Sequence, residues 1–369
     1  MTAVRSQTAD ARSHSLAGRL RTGVADVLWR AYTGENSGVL ILVVLVSIGI
    51  FAFFLRDTSY LSANNLLSIF RQTAAITVMA VPTVLVIASR ELDLSFAAVV
   101  PVAGFVAALL MQSQGMLIAV AAALLVGAGV GLINGLITVG FRIPSFVVTL
   151  GTMGILSGLA LRITSSASVG VANTTFLSVF GIGSVGPIPV LMVWAVSIVI
   201  IGHVFLTMTA TGRALLATGA NPDAARFSGV RTDRIRVGVL VASGLGGALA
   251  GLLYVGQFAA ASYTLGASDL LTVIAAVIIG GTALAGGKGS VVGAFIGSLL
   301  IGTLNNGLVI IGLANPEQLM VRGVIIVAAV IFSARTVSRR GPRAARAARA
   351  AGIPDQAPAP DGDSGARHE

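Results

Sequence analysis

NGLITVGFRIPSFVVTLG (residues 134–151) and NGLVIIGLANPEQLMVRG (306–323) align without a gap. Asn134 and Asn306, Gly135 and Gly307, Leu136 and Leu308, Gly140 and Gly312, Pro144 and Pro316, and Gly151 and Gly323 coincide. Each copy covers the end of one apolar run, a proline-marked turn and the start of the next run. A duplicated run–turn–run unit predicts a chain built from two related halves, each a series of apolar helices.

Outward from these copies the sequence reads as membrane protein. Of 369 residues, 55% are hydrophobic and only 10% charged, whereas a soluble domain carries about 25% charged residues. Apolar runs lie at 38–55, 73–89, 96–112, 116–139, 145–162, 187–206, 237–257, 269–284, 290–312 and 318–334. Each approaches the ~20 residues that cross a ~30 Å hydrocarbon core. The predicted fold class is therefore all-α, a polytopic membrane protein of about ten transmembrane helices. The amphipathic stretch YLSANNLLSIFRQ (60–72) fits either an interfacial helix or an extension of the second span. The first run is a retained span, because Phe54-Leu55-Arg56-Asp57 offers no small-residue cleavage site.

The net charge of +10 does not indicate nucleic acid, since its distribution follows the positive-inside rule. With the N-terminus inside, the inner segments hold five N-terminal arginines, Arg90, Arg142, five central arginines, Lys288 and seven in the tail. The outer segments hold Arg56, Arg71, Arg162 and Arg322. That split, twenty to four, predicts both termini on the cytoplasmic side. It also turns the first copy of the repeat inward and the second outward, which makes the repeat inverted, as in alternating-access pathways. A second likeness, ITVMAV (76–81) to LTVIAA (271–276), contradicts that scheme and is read as chance among similar compositions.

The longest polar interval between the first and last spans, TGRALLATGANPDAARFSGVRTDRIR (211–236), carries Arg213, Arg226, Arg231, Arg234 and Arg236. Asn221 suits a helix cap, Pro222 the first helical position, Asp223 the positive first turn, and Gly229 a left-handed close. The spacing predicts a helix of about seven residues, roughly 10 Å long at 1.5 Å per residue. A capped mini-helix on a basic loop is a docking knob for a cytosolic partner or an ordinary solvated loop.

No catalytic constellation emerges. AGGKGS (285–290) has Gly289 where a phosphate loop needs Ser or Thr after its lysine, and reads as a tight glycine turn. His14, His203 and His368 are scattered, and cysteine is absent, so no metal site is expected. Glu91, Asp93, Asp269 and Arg322 sit near span ends rather than mid-membrane, where charge costs about 2.5–3.5 kcal/mol on insertion scales. Gly127, Gly131 and Gly135, Ser243, Gly247 and Gly251, and Gly293 and Gly297 form small-residue faces for close helix packing. Asn134, Asn305 and Asn306 are candidates for a polar path, because a buried amide requires a partner.

NNLLSIFRQ (64–72), LDLS (92–95), the NGL and RIPSFVVTLGT elements of 134–152, the GR and GANPDAAR elements of 212–229, IAAVIIGGTALAGGKGSVVGA (274–294) and LNNGL (304–308) together resemble the ribose/xylose-type permease subunits of bacterial ABC importers. The likeness covers about 62–334. It implies a permease of the bacterial inner membrane, paired with a second copy or a related permease. It further implies a cytosolic ABC ATPase that binds the ATP and Mg, and a periplasmic or lipid-anchored sugar-binding protein; this chain would hold no cofactor. The ATPase-coupling pattern falls on Gly212, Arg213, Gly219, Asn221, Ala224, Ala225, Arg226 and Gly229. Ala224 and Ala225 are small enough for a partner groove to approach, so Ala225→Glu is expected to block docking with insertion intact. Pathway positions are expected at Asp93, Asn134, Phe146, Thr149, Asn305 and Asn306.

The chain departs from that family's pattern at Arg90-Glu91, where a glycine pair is usual, and at Phe96-Ala97, which lacks the usual following glycine. The expected domains are a basic cytoplasmic segment (1–36), a transmembrane permease domain (37–334) with its coupling loop at 208–236, and a basic, disordered cytoplasmic tail (335–369). Nucleosides, branched-chain amino acids and a signalling furanose remain alternative cargoes. A self-sufficient secondary carrier is the competing class, favoured by the inverted repeat and opposed by the lack of intramembrane acids.

Overall fold

The computed structural model describes residues 60–163 and 165–314, with isolated positions at 45–53 and 316–327. The first and tenth expected spans, the basic N-terminal segment and the tail therefore lie wholly or largely outside the described residues.

Helix α1 (Ala63–Ala88) starts where Ser62 accepts a hydrogen bond from the Asn65 N–H at 3.2 Å. It continues unbroken through 73–88, so the amphipathic 60–72 stretch is mostly the beginning of this helix and not a separate interfacial one. From Thr73 to Ala88 every residue is buried, which is the pattern of a helix at the centre of a bundle. Helices α2 (Phe96–Met111), α3 (Met116–Gly140) and α4 (Ser145–Ile163) follow. After α5 (Thr174–Phe180) and α6 (Val190–Met208) come α7 (Ala210–Ala220) and the short α8 (Pro222–Phe227). Helices α9 (Thr232–Phe258), α10 (Asp269–Ile279) and α11 (Val291–Ile310) complete the described series.

Among the described residues, six helices are long and apolar enough to cross a membrane: α1, α3, α4, α6, α9 and α11. The run at 269–284 is not one continuous span. Its helix ends at Ile279, since Gly280, Gly281, Gly286, Gly287 and Gly289 follow and each glycine costs a helix roughly 1 kcal/mol. Eleven residues cover about 16 Å, half of a ~30 Å core. Gly286 and Gly287 adopt positive φ (82° and 76°), so AGGKGS is the expected tight turn.

Bare backbone holds the bundle together. A Cβ on Gly127 would stand 2.3 Å from the Gly244 carbonyl oxygen, and one on Gly244 would stand 2.0 Å from that of Gly127. Gly131 meets Leu240 O of the same helix in the same way, at 2.3 Å. These contacts seat α3 against α9 at a distance that no side chain would permit. Gly251 does the same between α9 and α2, and Gly297 between α11 and α10. The small-residue faces are thus packing faces.

The end of the bundle holding residues 111–116, 163–190 and 258–269 is closed by short pieces. Strand β1 (Val169–Gly170) pairs antiparallel with β4 (Ala260–Ala261), and β2 (Ser184–Val185) with β3 (Ile188–Pro189). Phe180 stacks between Phe176 and Trp194, at ring separations of 5.1 and 5.3 Å.

Candidate functional site

The opposite end collects the polar segments 89–95, 140–145, 208–232 and 280–290. The central polar interval is mostly helical there. Thr209 caps α7 by accepting from the Gly212 N–H at 3.0 Å. Asn221 then caps α8, its Oδ1 accepting from the Asp223 and Ala224 N–H groups at 3.1 Å each. Pro222 occupies the first turn, and Gly229 takes φ 83° after a helix of six residues. Asn221, Pro222 and Gly229 therefore do locally what their residue types dictate.

The expected coupling residues divide by surroundings. Gly212 and Gly219 are buried against backbone: a Cβ on Gly219 would lie 1.8 Å from the Ala88 carbonyl oxygen at the end of α1. Ala225 is only 5% exposed, tucked into its own chain, whereas Ala224 and Arg213 are open to the surroundings. Ala225 thus packs α8 against the rest of the chain, and Ala224 is the one of the two alanines that is open to the surroundings. Sequence reasoning passed over the next apolar residue, Phe227. It is 94% exposed at the tip of α8, and a lone phenylalanine in an arginine-rich interval was the available signal.

Two ion pairs tie α8 and the 89–95 segment to α9. The Arg226 guanidinium donates to Asp233 at 3.1 Å and to Thr232 at 3.2 Å. Arg236 Nε donates to Glu91, whose side chain is only 6% exposed. Arg90 beside it holds φ 69°, a left-handed conformation that favours glycine. A cavity of about 350 Å³ lies here, lined in part by Arg90, Glu91, Phe146 and Arg226.

Three of the six expected pathway residues, Asp93, Asn134 and Thr149, share one interior network. Asp93 Oδ1 accepts from the Ser95 N–H at 2.7 Å and from its hydroxyl at 2.6 Å. Asn134 donates to that hydroxyl oxygen at 2.9 Å and accepts from the Thr152 hydroxyl at 2.6 Å. Ser145 and Thr149, on the first turns of α4, accept from the Leu92 and Leu94 N–H groups at 2.9 and 3.1 Å. These bonds lash the extended 91–95 segment to α4. Burial pushes the Asp93 carboxyl above the ordinary aspartate value, and hydrogen bonds from Ser95 pull it partly back. The Ser243 hydroxyl of α9 stands near this carboxyl and also lowers it, although among the described residues neither that hydroxyl nor the second Asp93 oxygen has a partner at hydrogen-bond distance.

Asn306 belongs to a separate arrangement, exchanging two 3.0 Å hydrogen bonds with Asn65 on α1. Asn305 is half-buried on the same helix. Asp93, Asn134, Thr149 and Asn306 are thus enclosed, while Phe146 is 47% exposed. Among the described residues no three His, Asp or Glu side chains gather as a metal site.

Residues 65–330 match the family described as branched-chain amino acid transport system / permease component. The chain is 36% identical over 309 residues to the ribose import permease protein of Escherichia coli (strain K12), covering 82% of this chain and 94% of that one. The D-allose transport system permease protein of the same strain is 33% identical over 282 residues, with 76% and 86% covered. Its xylose transport system permease protein is 29% identical over 365 residues, with 81% and 92% covered. No solved structure matches.

Proposed function

The chain belongs to the family of branched-chain amino acid transport system / permease components, and from that premise we propose that it is the membrane-spanning permease subunit of an ABC importer for a monosaccharide. The single observation that carries the cargo class is the agreement of the ribose, D-allose and xylose permeases over most of this chain. Those three sugars are pentoses or a hexose, which favours a small sugar over an amino acid. The energy source is a separate cytosolic ATPase that binds the ATP and Mg, this chain holding no cofactor. An extracytoplasmic binding protein, periplasmic or lipid-anchored, delivers the cargo, and a second copy or a related permease completes the conduit.

The chain lies in the bacterial inner membrane with its basic end and both termini in the cytoplasm. The clustering of Arg90, Arg142, Arg226 and Arg236 at one end of the bundle supports that orientation. Ten spans in two inverted halves are supported by helix order: α1, α2 and α3 recur as α9, α10 and α11, their starts shifted by 169, 173 and 175 positions. The packing exchanges in the same sense, with α3 against α9 and α11 against α1.

Coupling to the ATPase runs through α8. Its frame is rigid, because Asn221 caps it, Ala225 seats it and Arg226 ties it to α9. Phe227 projects from that frame as a preorganised aromatic anchor, the residue type that dominates interface energetics. The exposed face of α4, where Gly151, Gly154 and Gly158 meet nothing within 4 Å, borders the conduit toward the second subunit. On this reading Phe146 contacts the pathway, while Asp93, Asn134 and Thr149 brace its wall. Reconstitution with the ATPase and the binding protein tests the proposal: labelled ribose should accumulate only when both are present and ATP is supplied. Accumulation by this chain alone would establish the secondary-carrier reading instead.

A further inference from the structure

Beside the 350 Å³ cavity lies a second of about 380 Å³, lined by Val139, Arg142, Ile143, Pro144, Arg226, Asp233 and Arg236. The two share Pro144, Arg226 and Arg236. Around the joint space stand four arginines (Arg90, Arg142, Arg226, Arg236) and two carboxylates (Glu91, Asp233), which leaves two positive charges uncompensated. The compensated pair is visible: Arg226 bonds Asp233, and Arg236 bonds Glu91. The guanidinium groups of Arg90 and Arg142 have no hydrogen bond or ion pair among the described residues. Both residues also hold left-handed backbone conformations, φ 69° and 56°, which favour glycine.

We propose that this cleft, between α8 and the α3–α4 turn, binds a phosphate-bearing anion. A phosphate monoester carries about −1.5 to −2 charges at neutral pH, which matches the surplus. Guanidinium forks hydrogen-bond phosphate oxygens in pairs, and the arginines come from four separate segments (89–95, the α3–α4 turn, α8 and α9), so they approach one anion from different sides. An occupant would link Arg142 of the α3–α4 turn to Arg226 of α8, fastening the coupling helix to the start of α4. The phosphate can come from an inner-leaflet lipid headgroup or from a soluble compound, and the two sources separate experimentally.

The full-length chain is placed in phosphatidylcholine nanodiscs, and its melting temperature is read in sodium phosphate against sodium chloride of equal ionic strength. A second set of nanodiscs contains phosphatidylglycerol. The variants are Arg142→Gln, Arg142→Gly and, at the other end of α4, Arg162→Gln as the control. Glycine suits φ 56°, so a loss shared by both Arg142 variants is not misfolding. A rise of about 3 °C or more in phosphate, absent in both Arg142 variants and kept in Arg162→Gln, supports the site with a soluble ligand. A rise confined to phosphatidylglycerol, with the same dependence on Arg142, supports it with a lipid headgroup. Equal shifts in wild type and Arg142 variants overturn the proposal, as does the lack of any shift with either probe.

Discussion

Asn134 and Asn306 hold matching places in the two copies of the repeat, yet the chain uses them differently. Asn134 lies inside one half and joins the first turn of α2 to α4 through Ser95 and Thr152, with the buried Asp93 carboxylate behind. Asn306 reaches across halves and forms a reciprocal amide pair with Asn65 on α1. A shared sequence signal thus fixes the position of an amide and leaves its partner open. The first half is braced locally, around the 91–95 segment; the second is braced by its contact with the first.

Substitutions at the closest backbone approaches test whether the contact between the halves and the packing inside the second half depend equally on glycine. Gly244→Ala places a Cβ 2.0 Å from Gly127 O, and Gly293→Ala places one 1.9 Å from Gly280 O. Neither backbone neighbour can yield as a flexible side chain would, so each variant is expected to lose more than about 3 kcal/mol, the upper range for overpacking. Folded protein recovered after detergent extraction is the measurement; a drop at Gly244 alone would show the packing inside the second half to be more pliant than the contact between the halves.

The next effect belongs to the joint between the 89–95 segment of the first half and α9 of the second. Arg236→Ala leaves Glu91 buried without its cation, for which breaking a buried pair costs about 3–5 kcal/mol. Arg236 is partly solvent-exposed, which places the expected loss at or below the lower end of that range. Adding Glu91→Gln should recover part of the lost melting temperature. If the double variant is no better than the single one, the pair is not what holds 89–95 to α9.

The asparagines themselves give smaller differences. Interhelical hydrogen bonds in membranes average about 0.6 kcal/mol, so Asn134→Leu, losing two in a dry interior, should cost about 1–2 kcal/mol. Asn306→Leu should cost less, since Asn65 is only half-buried and keeps its 2.8 Å bond to Tyr60 O. Melting temperatures in the opposite order would reverse the contrast between the halves. Last in stability, and first in transport, comes the connection between them. Phe227→Ala should leave melting within about 0.5 kcal/mol, as surface changes do, while lowering ATP-driven uptake at least tenfold. Ala225→Glu, by contrast, should unseat α8 and lower its protection from proteolysis; intact protection would return Ala225 to the docking face.

The sequence made the helical segments legible because burial in lipid and in protein both demand apolar runs. The cap, proline and glycine of α8 were equally readable, since each acts through its own backbone. The end of α10 at Ile279 was not: apolarity continues past it, and only the glycine density at 280–289 argues for a break. The enclosure of Asp93, Asn134 and Thr149 was out of reach for a different reason. A polar side chain in a membrane helix looks the same whether it faces water or another hydroxyl, and only Ser95 and Thr152 decide between them. Ala225 and Ala224 likewise differ by one helical step, a distinction that composition does not carry.

Gly219 has a mechanical corollary. With its backbone set directly on Ala88 O, and the Gly287 N–H donating to that same oxygen at 2.8 Å, three chain segments converge on one carbonyl at the foot of the central helix. Thrust arriving at the arginine-bearing bend would reach the middle of the bundle through main chain alone, with no pliable side chain in between to absorb the stroke.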